Sequence, residues 1–215
     1  MRNAKAVAAK LPKRVAHDEG RSARDRLLAT AGELFYRQGI RSVGIDEIIA
    51  KADVAKMSLY RSFQSKDELI AAYLTEHDRN YWQWWDGVVA LHPEAPRKQI
   101  RALFASLAKR AARASWRGCP FTNAATEFPE PDHPAHIVAE ANKRELRRRL
   151  RDLARAAAAR DPESLGDQLV LLFEGAYSSA KIFNAPGPAH HLIGAADALF
   201  AAALGDKRAR VAAKR

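Results

Sequence analysis

Lys56, Ser58, Tyr60, Arg61 and Lys66 bring three cations, a hydroxyl and a phenol into one short stretch of chain. Lysine and arginine can bond guanine O6 and N7 or a phosphate oxygen, and serine and tyrosine hydroxyls bond phosphates. That inventory suits an anionic partner with hydrogen-bonding edges, as duplex DNA has. Val54, Leu59 and Phe63 are spaced to turn toward the inside of a short helix, leaving Lys56, Met57, Ser58, Tyr60 and Arg61 outward. Met57 is the apolar member of the outward set and suits contact with a thymine methyl. Lys66 belongs to the first turn of the next helix, where free N–H groups and its own charge favour a nearby phosphate. A helical hairpin with a solvated charged face would show the same pattern without DNA.

These residues need elements to hold them. Leu27, Leu28, Ala31, Leu34 and Phe35 form one buried stripe of a helix predicted over Ser22–Gln38, which Gly39 ends. Gly44 is an N-cap for a second helix, Ile45–Ala52, with Ile45, Ile48 and Ile49 inward, and it joins the DNA-contact set. Asp53-Val54-Ala55 makes a tight turn into a third helix, Lys56 to about Phe63. Ser65 and Glu68 form a capping box that starts a fourth helix running to about Ala90. Two short helices joined by a tight turn are the helix-turn-helix arrangement, whose second helix lies in the major groove.

Residues 24–70 resemble the DNA-binding domain of the tetracycline-repressor (TetR) family of bacterial transcription regulators. The resemblance rests on Leu34-Phe35, Gly39, Ile48, Ala50, Val54, Leu59-Tyr60, Phe63 and Ser65-Lys66-Asp67-Glu68-Leu69. The family's Leu-Tyr-x-x-Phe-x-x-Lys-x-x-Leu run is present at each position. Three residues depart from the family's habit. Asp53 stands where glycine is usual, Ala55 where a capping serine is common, and Met57 where small or polar residues are common. Asp tolerates the left-handed conformation better than most residues, but Ala55 cannot cap by its side chain.

The resemblance implies an all-α protein, with an N-terminal helix-turn-helix three-helix domain and a C-terminal helical domain that dimerises and binds a ligand. The expected division is a disordered basic arm at 1–21, the DNA-binding domain at 22–66, the regulatory and dimerisation domain at 67–205, and a basic tail at 206–215. The expected function is a dimeric repressor on a palindromic operator, released by a small hydrophobic or aromatic effector. An activator, or a regulator of the same fold that senses no ligand, is the alternative. No cofactor is expected.

The remaining sequence gives less specific signals. Further helices are predicted from Pro96 to about Trp116, over Cys119–Phe128, onward to about Arg160, from Asp161-Pro162 to about Asn184, and to about Leu204 after a Pro186-Gly187-Pro188 loop. Trp82, Trp85, Phe104, Trp116, Phe121 and Tyr177 can wall a small-molecule pocket or simply fill the core. Asn123 and Glu127 lie one helical turn apart and can bond a ligand or brace neighbouring helices. Their segment, Gly118–Phe128, resembles a Gly-Cys-x-Phe-x-Asn-Ala-x-x-Glu stretch found in one subgroup of the same family. Leu169, Leu172, Phe173, Ala176, Ala180 and Phe183, with Leu192, Ala195, Ala196, Leu199, Phe200 and Ala203, form stripes suited to a four-helix dimer interface or to intramolecular core.

Composition narrows the alternatives. The net charge of +11 divides as +4 in residues 1–21 (six Lys/Arg, two acids), +4 in 206–215 (five against one) and +3 between. Basic tails of this kind attract phosphate without sequence preference or stay solvated. The single Cys119 excludes an internal disulfide and fits a reducing, cytoplasmic setting. No apolar run approaches a membrane span, and no apolar stretch follows the basic N-terminus, so neither a membrane nor a secretory signal is expected. Cys119, His133 and His136 do not make a closed metal set, and no metal is expected. Nucleophile-elbow, Walker and zinc-protease motifs are all absent from the sequence. The run Arg147-Arg148-Arg149-Arg151-Arg155 is expected on a solvated helix face.

Overall fold

The computed structural model describes residues 21–183 and 187–204. The arm expected at 1–21, except Arg21, the tail at 206–215 and part of the loop before Pro188 lie outside the described residues. Within them all regular structure is helical: α1 (Ala23–Gln38), α2 (Ile45–Ala52), α3 (Lys56–Ser62), α4 (Lys66–Val89), α5 (Pro96–Ala111), α6 (Pro120–Glu127), α7 (Pro134–Ala156), α8 (Pro162–Phe183) and, after a 3-10 turn at Pro188–His191, α9 (Leu192–Leu204).

The local signals act much as the residues suggest. Ser22 Oγ accepts from Asp25 N–H and starts α1, and Gly39 ends it at φ +92°. Asp53 ends α2 in the left-handed region at φ 52°. Ser65 Oγ accepts from Glu68 N–H, while the Glu68 carboxylate reaches back to Gln64 N–H at 2.6 Å, one residue beyond the reciprocal partner of a standard capping box. Proline occupies the first turn of α5, α6 and α7, where its missing N–H costs nothing. Two ends differ from expectation. α5 stops at Ala111 rather than near Trp116, and α7 stops at Ala156, with Ala158 turned to φ 57°.

α1, α2 and α3 close a small core with the start of α4, using Leu27, Ala31, Leu34, Phe35, Ile48, Leu59, Phe63 and Leu69, all buried. α4 then continues into a second assembly in which α7 packs against α4, α5, α6 and α8, and α9 covers α5 and α8. Its centre is aromatic: Phe173 stands 5.3 Å from Phe104, 5.8 Å from Tyr177, 6.3 Å from Trp85 and 6.5 Å from Trp84, centroid to centroid. α7 and α8 come close together at Gly166, where an added Cβ would lie 2.8 Å from Arg151 Cα and 2.9 Å from its nitrogen.

The arginines of α7 do more than solvate a face. Arg147 and Arg151 each grip Asp167 of α8 through two nitrogens at 2.7–2.8 Å, and Arg155 reaches Glu163 at 2.7 Å. No described helix is long and apolar enough to cross a membrane.

Candidate nucleic-acid interface

α3 is positioned by its inner face. Leu59 is fully buried, Phe63 just beyond the helix is nearly so, and the Arg24 guanidinium lies 5.0 Å from the Phe63 ring centre. The turn before α3 is held by Arg26, whose Nε and Nη2 donate to the carbonyls of Ala52 and Asp53 at 3.3 and 3.2 Å. Those carbonyls end α2, so a cation on α1 supplies the bonds that the helix terminus lacks. α3 itself is weakly capped. Ala55 gives it no side-chain bond, as its residue type requires.

With the inner face occupied, the expected contact residues divide clearly. Met57 and Tyr60 are 64% and 48% exposed. Arg61 is also exposed, and the Tyr60 and Arg61 side chains make no hydrogen bond or ion pair among the described residues. Lys56 meets Asp46 of α2 at 3.3 Å, with both side chains largely in water. Such a pair contributes little and leaves Lys56 available to another anion. Ser58 is half-buried. Gly44 caps α2 without a side chain, and nothing lies within 4 Å of where its Cβ would be, so its backbone faces open space.

Lys66 is placed differently from the others. Its Nζ donates to the Ile40 carbonyl at 2.8 Å, and burial holds its pKa below the ordinary lysine value. An ammonium has three donors, so the bond to Ile40 leaves capacity for a phosphate.

The residues expected to meet a ligand separate into two groups. Phe104, Phe121, Tyr177 and Trp85 are buried in the aromatic centre, and Trp82 and Trp116 lie at its edge. Trp116 stacks on Tyr177 at 5.0 Å, and the Trp82 Nε1 donates to Asp78. These rings pack against one another as a core does. Within that region the Tyr81 hydroxyl and Asn142 Oδ1 are buried without a hydrogen-bond partner. Asn123 and Glu127 instead face the junction with α1. Asn123 Nδ2 donates to the Arg117 carbonyl, and the two Glu127 oxygens accept from Ile40 and Arg41 N–H.

His133 and His136 also have structural partners. The His133 Nδ1 accepts from Ala135 N–H at the start of α7, and the His136 Nδ1 contacts the Phe128 carbonyl. On the stripes considered for dimerisation, Leu169, Phe173, Ala176, Leu192, Ala196 and Phe200 fill intramolecular core. Of the large apolar residues described on α8, those left exposed are Phe183 of that stripe and, outside it, Leu171 and Ile182, at 61, 73 and 70% exposure.

Sequence reasoning missed Arg26, Tyr36, Arg41 and Arg117. Each acts through a backbone carbonyl or amide distant in the chain, and no local spacing announces such a partner.

A short, externally bare helix presented after a tight turn, with cations and hydroxyls outward, defines a helix-turn-helix DNA-binding protein. Residues 27–73 match the family described as bacterial regulatory proteins, tetR family, and residues 96–196 match the tetracyclin repressor-like C-terminal domain. The chain belongs to the TetR family of transcription regulators, which are not enzymes. It is 30% identical over 177 residues to the transcriptional regulator AcuR of Cereibacter sphaeroides, covering 78% of this chain and 80% of AcuR. It is 34% identical to the solved TetR-family regulator SCO4454 of Streptomyces coelicolor, with a TM-score of 0.76 over 86% of this chain and 95% of that one. Over 57 residues it is 44% identical to the transcriptional activator FasR of Mycolicibacterium smegmatis, 26% of each protein.

Proposed function

We propose that the chain is a dimeric repressor that reads a palindromic operator and is released by a small hydrophobic or aromatic effector. The observation that carries the DNA-reading part is the divided face of α3: Leu59 is sealed inside, while Tyr60, Arg61 and Met57 stand in solvent. Gly44, Lys56, Met57, Ser58, Tyr60, Arg61 and Lys66 form the contact set. Lys56 and Arg61 read base edges, and Tyr60 and Lys66 hold the backbone. The reading domain spans 22–66 and the regulatory domain 67–205, and the protein acts in the cytoplasm, where the DNA is.

Dimerisation is supported by the exposed apolar residues of α8, Leu171, Ile182 and Phe183, beside exposed Gly175, and by the exposed small residues Gly194, Ala198 and Ala202 of α9. Two copies of this face would pair by a two-fold axis and bring two α3 helices to one operator. The effector site is the aromatic interior around Trp82, Trp85, Phe104, Trp116, Phe121 and Tyr177. The unpaired Tyr81 hydroxyl and Asn142 Oδ1 supply the polar groups that such a site needs. A ligand that binds better to a dimer with displaced heads shifts the population away from DNA. An activator is the second reading, because FasR, named as one, matches this chain over 57 residues.

Selection of bound duplexes from a random pool tests the proposal. The expected consensus is two inverted half-sites about one DNA turn, or a multiple of it, apart. A consensus without two-fold symmetry would sink the dimeric reader. On the selected duplex, Tyr60→Ala should lose about 1–3 kcal/mol of affinity for all sequences, and Arg61→Ala should also relax the preference at one position. Both side chains are exposed, so folding stability should change by less than about 0.5 kcal/mol.

A further inference from the structure

The loop between α1 and α2 is held from two sides at one peptide. Lys66 Nζ, from the start of α4, donates to the Ile40 carbonyl at 2.8 Å. Glu127, the last residue of α6, accepts the Ile40 N–H on Oε1 at 3.0 Å and the Arg41 N–H on Oε2 at 2.7 Å. Arg41 returns the contact, since its Nε donates to the Glu127 carbonyl at 2.7 Å and its guanidinium lies 4.8 Å from the Phe128 ring centre. The loop leads within a few residues to Gly44 and α2, on which α3 rests.

The other end of α6 is fixed to the regulatory helices. Thr122 Oγ1 donates to Glu174 Oε2 of α8 at 3.0 Å. Lys143 of α7 bonds both Glu174 Oε1, at 2.7 Å, and the Cys119 sulfur, at 3.1 Å. α6 therefore links α7 and α8, bonded at its start, to the loop of the reading head, bonded at its end. A cleft of about 400 Å³ lies beside this junction, between the end of α1 and α6. Open space therefore lies along one side of α6.

We propose that Glu127 is the positioning residue of the reading head. By holding two consecutive loop amides it fixes the stance of α2 and α3 relative to α6. Movement of α6 then becomes movement of the reading helix. Two features separate this role from simple bracing. The Arg41 amide is at the surface, so water can replace the carboxylate there when it leaves. The two bonds are also directional and charge-assisted, so together they set an angle as well as a distance. The inference rests on the DNA-reading assignment made above.

The test uses the full chain, the duplex selected by the wild type, and a scrambled duplex of equal length. Glu127→Ala should raise hydrogen exchange at the Ile40 and Arg41 amides about tenfold, and leave exchange in α7 and α8 unchanged. Affinity for the selected duplex should fall about tenfold, with affinity for the scrambled duplex unchanged. Glu127→Gln keeps one acceptor oxygen and should fall between the two. If loop exchange rises while the selected duplex is bound as before, Glu127 only braces the loop and the proposal is overturned. Unchanged exchange in Glu127→Ala overturns it as well. A wild type that selects no duplex at all removes the reading assignment itself, a result recognisable because it appears before any substitution is made.

Discussion

On α3, seven residues long, Tyr60, Arg61 and Met57 project into solvent with no bonding partner among the described residues. Along the seam of α7 and α8, Arg147, Arg151 and Arg155 each hold a carboxylate of the facing helix. The two regions carry similar residue types and use them oppositely. Where cations are already paired, they fasten helices together. Where one is left unpaired on a helix whose other face is sealed, as Arg61 is among the described residues, it waits for a partner from outside. The difference shows that arginine content alone does not mark a DNA surface. The signal is a cation that the fold supports through its neighbours but does not itself employ.

The comparison predicts separable failures. The largest concerns the aromatic centre. Phe173 is fully buried on α8 among Trp84, Trp85, Phe104 and Tyr177. Phe173→Ala removes those contacts and leaves a cavity, and should cost about 3–5 kcal/mol in a urea unfolding measurement. The reading helix does not touch Phe173, so protein that remains folded at low temperature should still prefer the selected duplex. Loss of that preference in folded variant protein would show that the two regions are not separable.

A smaller effect should appear in the head. Ala55 occupies the N-cap of α3 with extended backbone and no capping bond. Ala55→Ser supplies an oxygen for the free N–H groups and should raise stability by about 1 kcal/mol, read as a higher urea midpoint with unchanged slope. If the midpoint stays where it was, α3 is held by Leu59 and Phe63 alone and its open start costs the fold nothing.

The contrast also explains what was legible in advance. The head is encoded in short-range spacing. Gly39, Asp53 and the Ser65–Glu68 cap end or begin helices by interactions within a few residues, and Leu59 and Phe63 follow from helical periodicity. The rest is encoded at a distance. Asn123 and Glu127 do share a turn of α6, but whether that turn faces the aromatic centre or α1 is set by how α6 docks, and only the partners Arg117, Ile40 and Arg41 tell. α8 is apolar on more than one side, so a stripe containing Leu169 and Phe173 reads equally well as interface or core. The early end of α5 carries no breaker, because Ala112, Arg113 and Ala114 are all good helix formers.

The smallest effect lies in the charged face of α7, and its sign can be worked out. Hydrogen bonds from Arg148, reinforced by Arg149 against the opposing effect of burial, hold the Glu145 carboxyl at about 2. Bonds from Arg147 and Arg151 hold Asp167 below the usual carboxylate range. An unfolded glutamate titrates near ~4.3. Glu145 is more acidic when folded, so its contribution is complete above that value and disappears as pH falls toward about 2. Its side chain is 30% exposed and its partner Arg148 is 59% exposed, so at neutral pH the network around it adds less than about 1 kcal/mol and weakens with salt. Glu145→Gln should therefore lower the melting temperature slightly at pH 7 and less at pH 2, narrowing the gap between variant and wild type as acid is added. A gap that stays constant across that range would mean that Glu145 acts by packing. The arginines of α7 would then be closer in kind to the idle Arg61 of α3 than their bonding suggests.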